Sequence, residues 1–472
     1  MAGKCRAPVG PDGCGGAARD ISVSEVAAYQ SLKIPLTKGV TPIAKAMRAV
    51  DVISGRKTLF RVGVTVGTGF APRELSARVT VTNGATKMPY FAKQKVSKTS
   101  VETDSASLFQ IAVPAEQIKE DTQFNVELVE CAEAATTTGM LQQARFPALG
   151  DAPLDARKTG VLKVKIIPLK ANNRVPDTSE TALKVYRDYL EAMYPIERAE
   201  LTVAPPLNVT YPVNWSGALD QLRQLRTKDK PASDVYYYGM LRPLETLKEY
   251  CKSGCTAGVG YVGSTTQAAT RVAMGLAFAD ETSAGVMAHE VGHNHGREHA
   301  PCAPGNQISG VDRKFPNTTA NTEVWGYDSR KQTFFGPDKT KDIMGYCEPK
   351  WIGNYTYAAL VNRVATMNLP MLTFPAQDSQ QNYHVMLVDK DGARWSQPFD
   401  QPEEPFGEPE EAEVLDIDGR VVERVNVFRT VVGDHDSATL LVPPAKRGWN
   451  AVRTADGVSL PFSAPISVDP PR

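Results

Sequence analysis

The sequence predicts an α+β multidomain protein in which an α/β unit lies between two β-sandwich domains. Short runs of alternating apolar and polar residues, separated by turn signals, fill residues 21–158 and return in residues 372–472. Between them, in residues 159–371, strand patterns alternate with helix patterns, which is typical of a partly parallel sheet covered by helices. Residues 1–20 are rich in Gly, Pro and Ala and predict a flexible start.

The two flanking β regions are indicated by their hairpins. In the first region, residues 59–66 alternate in polarity, and the Asn-Gly pair at 83–84 is a strong hairpin signal. In the last region, Asp-Gly pairs at 391–392 and 418–419 separate apolar runs. Residues 400–413 are acidic and Pro-rich and predict a solvated loop.

Periodicity divides the central region into four strands and four helices. Apolar side chains at Leu183, Tyr186, Leu190 and Met193 line one face of the first helix, which Pro195 ends. The predicted strands are 161–168, 200–204, 235–241 and 271–278, and the predicted helices are 177–195, 217–226, 282–295 and 354–367.

Composition excludes several classes of partner. The 472 residues carry 53 Lys and Arg and 53 Asp and Glu, so the formal net charge is zero. Nucleic acids and anionic membranes attract proteins with a basic excess, and neither is expected as a partner. No apolar run is long enough for a transmembrane segment. We expect a monomer.

The seven cysteines are grouped in a way that favours disulfides. The grouping suggests three pairs and leaves Cys131 alone, although free thiols remain the alternative. Paired cysteines favour a secreted or cell-surface protein, and the opening Met-Ala-Gly-Lys-Cys shows no export signal. The suggested pairs are Cys5 with Cys14, Cys251 with Cys255, and Cys302 with Cys347.

Four of the six histidines lie within eleven residues, in the run His-Glu-Val-Gly-His-Asn-His-Gly-Arg-Glu-His. On a helix, His289 and His293 project from the same face and can reach one metal ion. Gly296 permits the left-handed turn that stops a helix, so the chain can return His299 as a third ligand. Three imidazoles with one open position are the ligand set of a catalytic zinc ion. Glu290 lies beside this face, where it can act as general base toward a water on the metal.

The remaining histidines are not expected to be ligands. His295 lies two residues from His293 on another helical face, and we expect it to be exposed or to support the ligands indirectly. His384 and His435 lie in the C-terminal β region and have no predicted role. A chance match to HExxH is the alternative to a metal site, but a Gly and a third His in register make chance far less probable.

The extended motif HExxHxxGxxH resembles that of the metzincin (zincin-type) metalloproteases. Their second hallmark, a turn containing methionine, is matched by Asp342-Ile-Met344-Gly-Tyr346-Cys347. The resemblance implies that Met344 packs beneath the imidazoles and that Tyr346 stabilises the oxyanion. The sequence around the motif is most similar to that of the secreted bacterial M66 (StcE-like) peptidases, some of which cut mucin-type O-glycoproteins.

Other features are interpreted in the light of this resemblance. Strand 271–278 would be the sheet edge on which an extended peptide adds by backbone pairing. Trp351 would be either a pocket wall or a core residue. A disulfide between Cys302 and Cys347 would clamp the two halves of the site. Cys131 would be either an inert buried cysteine or a thiolate that blocks the zinc.

The sequence therefore predicts a zinc metalloendopeptidase of the metzincin type, with one catalytic Zn²⁺, that acts on protein or glycoprotein substrates. A non-catalytic adhesin or carbohydrate-binding protein with a vestigial zincin core is one alternative. A zinc hydrolase of non-peptide amides is the other.

Overall fold

The computed structural model of the chain is an α+β structure that is rich in strands and has few helices. Among the described residues, no helix has both the length and the apolar character needed to cross a bilayer. The structure describes residues 9–131, 143–252, 254–302, 308–368, 381–397, 405–433 and 437–462.

Two antiparallel sheets pack face to face in the N-terminal part. The strands of this part are β1 (Ile21–Tyr29), β2 (Lys33–Pro35), β3 (Thr37–Lys38), β4 (Thr41–Pro42), β5 (Thr58–Val66), β6 (Arg73–Asn83), β7 (Thr86–Val96), β8 (Phe109–Val113), β9 (Gln123–Glu130), β10 (Arg145–Phe146) and β11 (Ala152–Pro153). The short strands β3 and β4 pair only with each other, outside the two facing sheets. One sheet has the order β2-β1-β5-β8, and the other has the order β10-β9-β6-β7 with β11 beside β9. Phe60 and Phe124 meet between the sheets, with ring centroids 5.5 Å apart. Along β8, buried and exposed residues alternate strictly, as the pleat requires.

The N-terminal segment before β1 is attached to the second sheet. Cys14 is bonded to Cys131, and Ala17 forms a β-bridge with Val129. The prediction that Cys131 is unpaired is therefore wrong, and a zinc-blocking thiolate at this position is excluded. The pairing of Cys14 with Cys5 is also wrong, and Cys5 itself lies outside the described residues. Long-range pairing with β9 brings together two cysteines that are 117 residues apart in sequence.

The central part is a mostly parallel sheet between helices. Its elements are β12 (Val161–Lys170), α1 (Glu180–Met193), β13 (Arg198–Val203), β14 (Leu207–Asn208), α2 (Trp215–Asp229), β15 (Val235–Leu241), α3 (Leu247–Tyr250), β16 (Gly258–Gly260), β17 (Val272–Leu276) and α4 (Glu281–Asn294). The order is β13-β12-β15-β17-β16, with β14 beside β12. Because successive side chains of a strand point to opposite faces, Ile166 joins the core that includes α1 and α4, whereas Ile167 joins the core of α2.

The outer edge of this sheet is β16, which runs antiparallel to β17. The prediction that residues 271–278 form the edge is therefore wrong, since β17 lies between β15 and β16. A three-residue strand with two glycines has no alternation of polarity, so periodicity could not detect it.

The segment after α4 joins the central sheet to the N-terminal sheets. Its elements are β18 (Gly326–Asp328), β19 (Thr333–Phe335), β20 (Lys341–Asp342), β21 (Lys350–Trp351) and α5 (Asn354–Met367). Tyr327 N donates a hydrogen bond to Ser31 O at 2.8 Å, and Trp351 Nε1 donates to the same oxygen at 2.7 Å. Trp351 is 2% exposed and stacks on Phe335 with centroids 4.9 Å apart. Of the two interpretations of Trp351, the structure supports core packing rather than a pocket wall.

The C-terminal part forms one curled antiparallel sheet among the described residues. Its strands are β22 (His384–Asp389), β23 (Gly392–Trp395), β24 (Glu408–Leu415), β25 (Val421–Val432), β26 (Ser437–Val442), β27 (Ala451–Arg453) and β28 (Ser459–Pro461). The order β23-β22-β26-β25-β24-β27-β28 places β23 and β28 at opposite ends. Trp395 Nε1 nevertheless donates to Pro461 O at 2.7 Å, so the sheet nearly closes on itself. This curl replaces the two facing sheets of the predicted sandwich.

Strand β24 contradicts the prediction of a solvated loop for residues 408–413, whereas residues 400–404 of that loop lie outside the described residues. Acidic residues of β24 form ion pairs with arginines of neighbouring strands, and Glu410 pairs with Arg429 at 2.8 Å. Glu413 pairs in the same way with Arg453 at 2.6 Å. Cross-strand pairs of opposite charge stabilise a sheet, and composition alone did not reveal them.

Candidate active site

Helix α4 carries the HExxH residues, and both of its ends have a local cause. Asp280 caps the start, since its Oδ1 accepts a hydrogen bond from Ser283 N at 2.8 Å. His295 follows the last helical residue, and Gly296 then adopts a left-handed φ of 79°. This confirms the predicted helix stop at the glycine, from which the chain turns back toward the helix.

The three imidazoles at 289, 293 and 299 converge. Their candidate ligand atoms all lie within 4.8 Å of one another, and the rings are buried. The Nε2 atoms of His289 and His293 are 3.1 Å apart. The cluster can hold a metal ion, as predicted for His289, His293 and His299.

A backbone carbonyl fixes each of these rings. The Nδ1 atom of His289 lies 2.8 Å from Ile343 O, that of His293 2.6 Å from Arg297 O, and that of His299 2.6 Å from Ser309 O. A carbonyl oxygen can only accept, so each Nδ1 carries the proton and each Nε2 presents a lone pair. Lone pairs that face one another over such distances favour a shared cation, and the donor set fits zinc.

Glu290 follows His289 on α4 and lies against the edge strand. Its side chain is 2% exposed. A Cβ atom at Gly258 would lie 2.5 Å from Glu290 Oε1, so only glycine at that position leaves room for the carboxylate. The acid is therefore buried between α4 and the edge strand β16.

The methionine turn packs beneath the helix. Met344 is 1% exposed, and a Cβ atom at Gly292 would lie 2.6 Å from its sulfur. The turn is held by Asp342, whose carboxylate accepts hydrogen bonds from Met344 N and from Gly353 N, each at 2.9 Å. Burial raises the pKa of Asp342, and these hydrogen bonds act in the opposite direction.

Tyr346 reaches the third histidine. Its hydroxyl is 3.1 Å from His299 Nε2, and its backbone N donates to Cys302 O at 2.7 Å. Cys302 and Cys347 are bonded, so the segment after the third histidine is tied to the methionine turn. The structure also contains the expected Cys251–Cys255 disulfide.

The remaining histidines differ in their surroundings. His295 is 5% exposed and stacks on Tyr236 with centroids 4.7 Å apart. Of the two alternatives predicted for it, exposure is therefore wrong, and indirect support of the other histidines stays a prediction. Burial lowers the pKa of His295 to about 3 and keeps it neutral. His384 lies on β22 near Trp395, away from the cluster, and His435 lies outside the described residues.

One contact was not predicted at all. Gly433, at the end of β25, lies so close to His293 that a Cβ atom there would be 2.4 Å from the ring Nε2. Nothing in the local sequence distinguishes this glycine from those of the hairpin turns. Only the docking of the C-terminal sheet brings it to the site.

A buried cluster of three histidines on an HExxH helix is the ligand arrangement typical of metallopeptidases. Residues 267–350 match the model of the family Peptidase M66, so this segment is similar to the M66 metallopeptidases. The match confirms the resemblance seen in the sequence. None of the curated proteins compared with the chain matches it.

Proposed function

We propose that the protein is a zinc-dependent endopeptidase of the metzincin type. The observation that carries the proposal is the set of three imidazoles, each held through Nδ1 by a backbone carbonyl, beside the buried carboxylate of Glu290. We place the catalytic unit at residues 159–371, with the N-terminal sheets and the C-terminal sheet as flanking domains. Three disulfides support a secreted or cell-surface location.

The chain's own residues account for binding and proton transfer. Zinc, when bound by His289, His293 and His299, would activate water and polarise the scissile carbonyl. The Glu290 carboxylate accepts the proton released by the attacking water and then delivers it to the departing amine. The Tyr346 hydroxyl, beside His299, donates a hydrogen bond to the oxyanion. The part of the edge strand β16 around Gly258 aligns an extended substrate by backbone pairing.

The proposal is tested by Glu290→Gln, with Glu281→Gln as the matched control. Glu281 is exposed in the first turn of the same helix and pairs with Lys331 at the surface. We expect Glu290→Gln to lower peptidase activity by roughly 10²- to 10⁴-fold while retaining one equivalent of zinc. Glu281→Gln should cleave as the wild type does. Full activity of Glu290→Gln would contradict the proposal, and unchanged ligand binding without any hydrolysis by the wild type would favour an adhesin.

For the substrate, we propose mucin-type O-glycoproteins as the class to be tested first. The digest uses one heavily O-glycosylated protein beside its deglycosylated form, with the cut sites mapped by mass spectrometry. Cleavage of the glycosylated form alone supports this substrate class. Equal cleavage of both forms would show a peptidase that does not require glycans.

A further inference from the structure

The C-terminal sheet meets the central sheet at the edge strand β16. Gly433 N donates a hydrogen bond to Gly260 O at 2.7 Å, and Val262 N donates to Val431 O at 3.0 Å. These bonds surround an antiparallel β-bridge, so the end of β25 continues the central sheet. The later part of the edge is thus already paired, and an added peptide can use only the part around Gly258.

This junction is firmly packed. Val432 is 3% exposed and belongs to the core of α2 and the central sheet. The Tyr261 hydroxyl lies 3.3 Å from Thr439 Oγ1 on β26, and the Arg223 guanidinium lies over the Phe406 ring at 5.0 Å. Residues 431–433 at the end of β25 therefore form a rigid wall of the site.

The wall reaches the metal ligands themselves. The Cβ atom that any other residue would carry at position 433 would lie about equally far from Nε2 and Cδ2 of His293, at 2.4 Å from each. The same position is 2.7 Å from Cε1, so it lies over the face of the ring. The lone pair of Nε2 lies in the ring plane and therefore points away from it. The C-terminal sheet thus borders the metal site without blocking the ligand atom of His293.

A cavity of about 310 Å³ lies between the wall and the histidines. His293 and His299 line one side, and Val431, Val388 and Ala438 of the C-terminal sheet line the other. Val431 is an apolar residue that is nevertheless 50% exposed. Concave apolar surface beside a reactive centre is typical of a substrate subsite.

Charged residues also line this cavity, namely Arg429, Asp456 and Glu298. Arg429, which also lines it, is engaged by Glu410 at 2.8 Å and by Asp456 at 3.1 Å within the C-terminal sheet. Its charge is therefore compensated locally. Glu298 directly precedes His299 in the sequence, so the apolar contact that the C-terminal sheet itself offers to a substrate side chain is the valine surface.

We propose that this cavity is a substrate subsite, shared between the catalytic unit and the C-terminal sheet, that binds an apolar side chain next to the scissile bond. Val431 determines that preference. The inference rests on the proposed peptidase function and deepens it, because it assigns part of the specificity to a sheet outside the segment that matches the peptidase family.

The test compares Val431→Asp and Val431→Arg with Val422→Asp. Val422 is the matched control, because it lies on the same strand and is 51% exposed. Each full-length variant and the wild type digest the same peptide library, and cut sites are mapped by mass spectrometry. We expect both Val431 variants to lose at least about tenfold in kcat/KM on peptides with the preferred apolar residue. Val431→Asp should shift the preference toward basic side chains, and Val431→Arg toward acidic ones.

Zinc content, measured on every variant, should equal that of the wild type. Cut sites that are identical for Val431→Asp, Val431→Arg and the wild type would overturn the subsite, as would an equal shift in Val422→Asp. Neither result would contradict the peptidase function, provided that the wild type cleaves and Glu290→Gln is inactive in the same digest. A wild type that cuts no peptide at all would instead overturn the peptidase function, and the subsite with it.

Discussion

At the scale of single residues, the candidate site depends on glycines that leave space for neighbouring side chains. Gly258 leaves room for the Glu290 carboxylate, Gly292 for the Met344 sulfur, and Gly433 for the His293 ring. In each case a Cβ atom would lie within 2.6 Å of the functional side chain. A methyl group at any of these positions would displace a catalytic or supporting group rather than merely crowd the core.

Gly433→Ala should therefore weaken metal binding. The new methyl group pushes the His293 ring out of line with the other two imidazoles. We expect the affinity for zinc, measured by competition with a chelator, to fall by roughly 10- to 100-fold. Gly336→Ala is the control, because its Cβ would meet only Trp325, at 3.7 Å. Equal zinc affinity in both variants would show that the contact with His293 has no role.

The thermal midpoint of the metal-free protein separates this effect from simple destabilisation. If Gly433 has a purely structural role, Gly433→Ala lowers the thermal midpoint of the metal-free protein, and the increase in that midpoint on adding zinc stays the same. If Gly433 positions the His293 ring, Gly433→Ala makes this zinc-induced increase smaller, because stabilisation by a ligand depends on its dissociation constant.

At the scale of elements, one carboxylate joins three strands of the first sheet. Glu102 accepts a hydrogen bond from Tyr29 on β1, pairs with Lys33 on β2 and pairs with Arg61 on β5, each at 2.6 Å. Arg61 also lies over the ring of Phe334 on β19, at 4.2 Å. The cluster thus connects the N-terminal sheet with the segment that carries the methionine turn.

Glu102 also makes the stability of the fold dependent on pH. Burial acts to raise the pKa of Glu102, but the hydrogen bonds and charges of its partners prevail and lower it. Because the folded pKa is depressed, the stabilisation is complete above the unfolded value of about 4.3 and is lost as pH falls through the folded pKa.

We expect Glu102→Gln to lower the free energy of unfolding by roughly 1 to 3 kcal/mol at pH 7. The difference from the wild type should shrink below pH about 4, where Glu102 itself becomes protonated. Denaturant titrations at a series of pH values measure this difference in the free energy of unfolding. Glu120→Gln, at an exposed residue, is the control. A difference that is the same at pH 3 and pH 7 would contradict the assignment.

At the scale of the whole molecule, the N-terminal sheets and the catalytic unit share one core. A single cluster of buried residues extends from Ala18 in the N-terminal segment through Phe60 and Met344 to Val364 in α5. The C-terminal sheet in turn adds Val432 to the core of α2. The flanking sheets therefore support the site through packed contacts and not only through linkers.

We expect a core substitution in the N-terminal sheets to destabilise the distant metal site. Phe60→Ala, at a fully buried position, should cost roughly 3 to 5 kcal/mol. The temperature at which half of the zinc binding is lost should fall, and it should fall by as much as the thermal midpoint of unfolding followed by circular dichroism. Leu149→Ala, at a residue that is 89% exposed, is the control. Zinc binding that persists after the N-terminal sheets have unfolded would contradict a shared core.

The main features of the site could be predicted because they are local. The four-residue spacing of His289 and His293, and the glycine stop before His299, follow from helix geometry and the left-handed freedom of glycine. The helices at 282–295 and 354–367 were predicted to within a residue for the same reason. The methionine turn was recognised from a short motif, which needs no knowledge of distant pairing.

Tertiary structure alone decided which strand forms the edge, which cysteine bonds Cys14 and which glycine touches His293. Each of these joins segments that are far apart in sequence, and local periodicity carries no information about such pairing. The burial of His295 and Trp351 has the same origin, because their exposure is set by partners from other elements. The sequence determined the three imidazoles and the carboxylate of the candidate site, and the docking of the C-terminal sheet decided the shape of the cleft around them.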